Sequence, residues 1–175
     1  MPPTPASAHP GALPTLLEWL AGHAVEHDVH EHGETFTARQ TARAEGVDPR
    51  TFAKVVAVRT DDQRTVLLVI DAADRIDLRK AREALLADDV RLLSEAELAV
   101  LAPECEPGAM PAVGDLFDLP MVADRALRDG TALSFNAGTH TCAVRVDRPA
   151  WERATGVAYA DLAEDLDARP AWARS

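Results

Sequence analysis

Two neighbouring apolar runs constrain this chain more than any other feature. "FAKVVAVRT" (52–60) and "TVLLVID" (65–71) are rich in Val, Leu and Ile and are separated by the four polar residues "DDQR". Runs of this length and β-branched content read as strands, and the polar tetrapeptide reads as the turn that joins them. Lys54 stands near the start of the first run, beside Phe52, Val55, Val56 and Val58. An ammonium among apolar neighbours must reach water, find a partner or lose its charge. The plain explanation is a lysine whose stem lies along the sheet and whose amine reaches solvent.

Around this pair the pattern alternates. Leu16, Leu17, Trp19, Leu20 and Ala24 recur at helical spacing over 15–26, and "HDVHEH" follows as a short strand. "TARQTARAEG" reads as a second helix, with Thr37 and Gln40 as a capping box and Gly46 as its stop. After the strand pair, Asp77 caps a helix reaching about Leu86, and "VRLL" is strand-like. Ser94 with Glu97 forms a capping box for "EAELAVLA". "LPMVA", "TALSF" and "TCAVRVD" are three further strands, and Asp147 with Pro149 starts a last helix. Strands come in runs with helices between the runs. The expected class is therefore α+β with a mixed, largely antiparallel sheet, not a regular βαβ repeat.

With 175 residues, the chain suits one domain. A flexible N-terminal tail is expected over 1–14, where five prolines fall among small residues, a domain over 15–166, and a loose C-terminal tail over 167–175. Hydrophobic residues at 47% supply a core, and no apolar run is long enough to span a bilayer. The first residues lack the basic-then-apolar pattern of a signal peptide, and two cysteines do not make a disulfide framework, so a cytoplasmic protein with two packed, free thiols is expected. The net charge of −11 weighs against a broad nucleic-acid surface, DNA included, but not against one basic pocket.

Three further segments carry candidate chemistry. "ECEPGAMPAVGD" places Gly108 and Gly114 on either side of Pro111, which suits a stiff loop whose backbone can approach a ligand. "SFNAGTHTC" runs from a strand into Asn136, Gly138, Thr139 and His140. By itself this reads as a hairpin turn, although it also exposes backbone N–H groups and an imidazole. His23, His27, His30 and His32 form a histidine group that zinc or nickel would accept. No cysteine or carboxylate pattern accompanies it, so the expectation is a solvated face and no metal. There is no G-x-G-x-x-G, P-loop or HExxH.

In order and spacing, "TARQTA", "FAKVVAVR", "EPGAMPAVGDL" and "FNAGTHT" resemble the YbaK/ProX family of free-standing aminoacyl-tRNA deacylases, which are related to the editing domain of bacterial prolyl-tRNA synthetase. The resemblance spans roughly residues 15–165. It implies a sheet curled into a partly closed barrel with helices packed outside. It also implies a cofactor-free ester hydrolase of translation fidelity, which removes alanine or cysteine from mischarged tRNA, that for proline in the first instance. The family's hallmark lysine matches Lys54, and its glycine-bearing loop matches Gly108, Pro111 and Gly114. The later segment matches Asn136, Gly138, Thr139 and His140. The implied roles are catalysis for Lys54 and His140 and substrate binding for the other six. Val113 departs from the pattern, standing where many members carry an aromatic, which implies a pocket of altered size. With this acidic charge, contact is expected only at the tRNA CCA end, with an aminoacyl-tRNA synthetase as a candidate partner. The alternative is a non-catalytic module of the same fold that binds aminoacyl-adenosine, tRNA 3′ ends or a protein.

Overall fold

A computed structural model describes residues 11–31 and 52–165. The helix expected over "TARQTARAEG", His32 and most of both tails lie outside them. In chain order the described elements are α1 (Pro14–Gly22), β1 (His27–Glu31), β2 (Ala53–Thr60), β3 (Thr65–Asp71), α2 (Leu78–Leu85) and β4 (Val90–Leu92), followed by α3 (Glu95–Leu101), β5 (Met121–Asp124), β6 (Ala132–Asn136), β7 (Cys142–Asp147), α4 (Arg148–Thr155) and β8 (Ala158–Ala160). Short 3₁₀ turns occupy Gly114–Phe117 and Arg125–Asp129.

The apolar runs form the expected antiparallel pair, with Lys54 opposite Ile70 and Arg59 opposite Thr65. Their nearly unbroken hydrophobicity is explained by burial on both faces. Ala53 and Val55 join a cluster with Leu16 and Leu20 of α1, Phe135, Val144 and Trp151. Val56 and Val58 point the other way, to Leu68, Ile70 and the Ala81 and Leu85 face of α2. The helix caps follow the sequence. Asp77 accepts from the backbone of Arg79 and Lys80, and Ser94 and Glu97 complete their capping box. Lys80 is buried, yet its Nζ donates to Asp161 (3.0 Å), Asp165 (2.9 Å) and the Ala163 carbonyl (2.8 Å), tying the chain's later segment to α2.

The fold is α+β with mixed sheets. One sheet has the order β1-β7-β6 and the other β4-β2-β3-β5-β8. Antiparallel ladders outnumber parallel ones, which are β3–β5 and β5–β8. The expected barrel does not close. Among the described residues a single bridge, Phe52 to Ser134, joins the two sheets. Closure would need β6 to run along β2, but the chain leaves β6 at Asn136 for a turn held to another loop, and β4 takes the far end of β2 from Val58 to Thr60. One edge of β2 is thus covered by β3 along its length. On the other edge, β6 touches only the start and β4 only the end.

Candidate functional site

The interrupted edge of β2 organises the site. The Ala72 N–H donates to the Phe52 carbonyl at 2.7 Å, so even-numbered residues of β2 hydrogen-bond toward β3 and odd-numbered ones face the other edge. Accordingly, the Ala57 carbonyl accepts from Leu93 N–H at 3.0 Å on that second edge. Between this bond and the Phe52–Ser134 bridge, the backbone of Val55 faces a stretch where, among the described residues, neither β4 nor β6 pairs with it.

The sequence-named residues divide around this stretch. The bridge pairs Phe52 with Ser134 in parallel, and Lys54 and Asn136 lie two residues past it on β2 and β6, each on the face of its strand that carries the bridged residue. Lys54 is half-buried, whereas Asn136 is only 4% exposed and its Oδ1 has no hydrogen-bond partner. The same face carries Phe52 and Ala143, both packed with Ala72.

Past Asn136 the chain turns, and the turn is bonded to the loop rich in Pro and Gly. The Glu106 N–H donates to the Gly138 carbonyl (2.8 Å) and the Gly138 N–H to the Ala109 carbonyl (3.0 Å). Gly138 has φ +108° and Gly108 φ +83°, conformations that favour glycine. His140 is 7% exposed and its Nε2 lies 2.8 Å from the Pro107 carbonyl, which can only accept, so Nε2 carries the proton. The imidazole thereby holds Pro107 and Gly108 in place: a β-carbon on Gly108 would sit 3.5 Å from the ring. This nitrogen is committed to a carbonyl and is not a free base.

The other named residues sit differently. Thr139 Oγ1 donates to the Gly11 carbonyl at 2.6 Å, and the Leu13 N–H to the Ala137 carbonyl at 2.7 Å, so residues 11–13 strap the turn from outside. Pro111 is buried, and its carbonyl accepts from Val113 N–H. Gly114 is glycine for a reason internal to the fold, since a β-carbon there would meet the Leu119 carbonyl oxygen at 2.4 Å. Val113 is fully buried in the main core, so it bears on any pocket through packing.

Two contributors escaped the sequence reading. Trp151 of α4 is fully buried and donates from Nε1 to the Ala112 carbonyl at 2.7 Å, anchoring the loop from behind. A tryptophan at the core face of a helix signals packing, and its polar handle has no sequence signature. Gly11 is the other: its place beside Cys142 and Thr141 leaves no room for a side chain.

Both cysteines are buried and free, and burial with nearby Glu104 pushes the Cys105 thiol up to about 11, far from a reactive thiolate. His23 and His27 are used locally, on the carbonyls of Trp19 and Val25 (2.8 Å each), and the His23 ring stacks on Trp19. Among the described residues, no group of three or more His, Cys, Asp or Glu is placed to hold a metal ion, and no helix is long and apolar enough to cross a membrane. A separate cleft of about 400 Å³, lined by Asp74, Asp124, Asp161 and Asp165 among others, has the wrong charge for a phosphate-bearing ligand.

Structures of similar fold include the hypothetical protein APE2540, with a TM-score of 0.76 and 22% identity over 85% of this chain and 99% of that one. Another is a proposed trans-editing enzyme for prolyl tRNA synthetase, with a TM-score of 0.75 and 22% identity over 93% and 99%. A third, a proposed signal transduction protein from Marinobacter aquaeolei VT8, matches 89% of this chain with 32% of its own length (TM-score 0.68, 18% identity). No functionally curated protein matches the sequence. Residues 32–154 match the family described as the aminoacyl-tRNA editing domain, and the chain belongs to that family.

Proposed function

We propose that this protein is a trans-editing deacylase, which hydrolyses the ester between a small mischarged amino acid, alanine or cysteine, and the tRNA for proline. The reading is supported by membership of the aminoacyl-tRNA editing domain family and by the position of Lys54 and Asn136 just past the Phe52–Ser134 bridge, with the turn after Asn136 held by Glu106 and Ala109 and its His140 bonded to Pro107. Water adds to the ester carbonyl, the bond to the ribose oxygen breaks, and the products are the free amino acid and a tRNA with its terminal hydroxyl restored. Lys54 stabilises the charge that develops on the carbonyl oxygen or a neighbouring phosphate. The ribose hydroxyl helps activate the water. For a cysteinyl ester the substrate's own thiol can attack the carbonyl instead, expelling the ribose oxygen as the restored hydroxyl and leaving a thiolactone that water then opens to free cysteine. His140 positions the loop, and Gly108 and Gly138 let backbone approach the aminoacyl adenosine. At a net charge of −11, binding is confined to the CCA end, with a synthetase as the partner that presents the rest of the tRNA.

The test is deacylation of a panel of mischarged tRNAs by wild type and Lys54→Ala. Loss of one positioned charge in a site of this kind costs roughly 10²-fold or more in rate. Lys54→Arg should recover little, because a planar guanidinium does not replace a compact ammonium. Lys54→Ala at full activity sinks the site assignment. Wild type that binds the CCA end but cleaves nothing favours the non-catalytic module.

A further inference from the structure

We infer that Asn136 Oδ1 is the acceptor for the α-ammonium of the aminoacyl ester, making Asn136 the residue that distinguishes amino acid esters from other esters at this site. The inference rests on the deacylase reading above and adds to it the recognition of one substrate group.

An amide oxygen buried without a donor destabilises the fold that contains it. Asn136 is 4% exposed and its Oδ1 is in that position. Among the described residues none donates to it. On its own face lie Ala143, directly opposite on β7, Ser134 and Arg145 one pair along, and Phe52 and Ala72. Lys54, two residues past the bridge on β2, is engaged elsewhere and does not donate to Oδ1. Groups that cost stability and persist at one end of a candidate site are expected where a ligand completes them.

The donors at the aminoacylated end of a tRNA are the α-ammonium, ribose hydroxyl and adenine amino group. The ammonium is the one that only donates and carries charge, so it gains most from a fixed, water-excluded acceptor. A neutral amide suits this site better than a carboxylate. A carboxylate would put a negative charge beside the ester carbonyl, where negative charge develops in the reaction, whereas the amide accepts the donor without adding charge.

The experiment compares the alanyl ester of one tRNA with the lactyl ester of the same tRNA, in which a hydroxyl replaces the ammonium. Single-turnover kcat/KM for each is divided by its spontaneous hydrolysis rate. Wild type should prefer the alanyl ester at least tenfold. Asn136→Leu should lose that preference by slowing on the alanyl ester alone, while its melting temperature does not fall. Asn136→Asp, which keeps an acceptor, should keep the preference at a reduced rate. Equal handling of the two esters by wild type overturns the inference even if the variants do not fold, and so does an intact preference in Asn136→Leu. If wild type hydrolyses neither ester, the deacylase reading fails first and takes this inference with it.

Discussion

Gly138→Ala should separate the backbone of the site from ordinary loop tolerance. At φ +108° an L residue is strained by about 1–3 kcal/mol. The added methyl would also stand 3.0 Å from Leu13 Cβ, closer than packed carbons sit. Leu13 has little room to yield, because its N–H is bonded to the Ala137 carbonyl. If the turn relaxes instead, it gives up its bonds to Glu106 or Ala109, each worth about 1 kcal/mol. Either route gives a loss of about 2–4 kcal/mol, which for a chain of this size is a fall of roughly 5–15 °C in melting temperature. Gly156→Ala is the control. Its φ is +63° with nothing within 4 Å of a new methyl, so it should cost only about 1 kcal/mol and leave deacylation unchanged. Thermal denaturation and single-turnover deacylation of both variants would decide the matter. Equal destabilisation by the two, or hydrolysis by Gly138→Ala within twofold of wild type, would show that neither the fold nor the site depends on the left-handed turn at Gly138.

Trp151→Phe keeps an aromatic ring in the core but leaves the buried Ala112 carbonyl without its donor, so chemical denaturation should show a loss of about 1–3 kcal/mol. Glu97 is held down to about 2, first by its hydrogen bond with Arg91 and then by the Ser94 backbone. A depressed carboxylate stabilises the fold fully above its ordinary value of 4.5 and loses that contribution as pH falls toward 2, so wild type should exceed Glu97→Gln in stability at pH 6 and converge with it near pH 2. Cys105, its thiol raised to about 11, should resist iodoacetamide at pH 8 in the native state and react only after unfolding, as read by mass spectrometry.

Much of the fold was legible because its signals are local. The polar turn between two β-branched runs, the Asp77 cap and the Ser94–Glu97 box each lie within a few residues of the structure they specify. What stayed hidden depends on contacts remote in sequence. The parallel ladders of β5 with β3 and β8 need crossovers that no periodicity announces, and β8 has only three residues. At the site, "SFNAGTHTC" read alone as a hairpin turn, and β6 and β7 do form an antiparallel hairpin around it. What stayed hidden is the partner loop, more than 30 residues earlier, that commits His140 to Pro107. Likewise, the strap at residues 11–13 joins segments about 128 residues apart, beyond the reach of any spacing argument.

The short gap along β2 also bears on self-association. A sheet edge with unpaired backbone is a template on which another chain can add a strand. Here the vulnerable stretch is framed by β6 at Phe52 and by β4 from Val58, which leaves room for only a few residues. An intruding strand from a second copy would collide with one of those neighbours before it formed a stable ladder. Among the described residues, the interruption that keeps the sheets from closing is thus too short to accept the extended segments that seed aggregation.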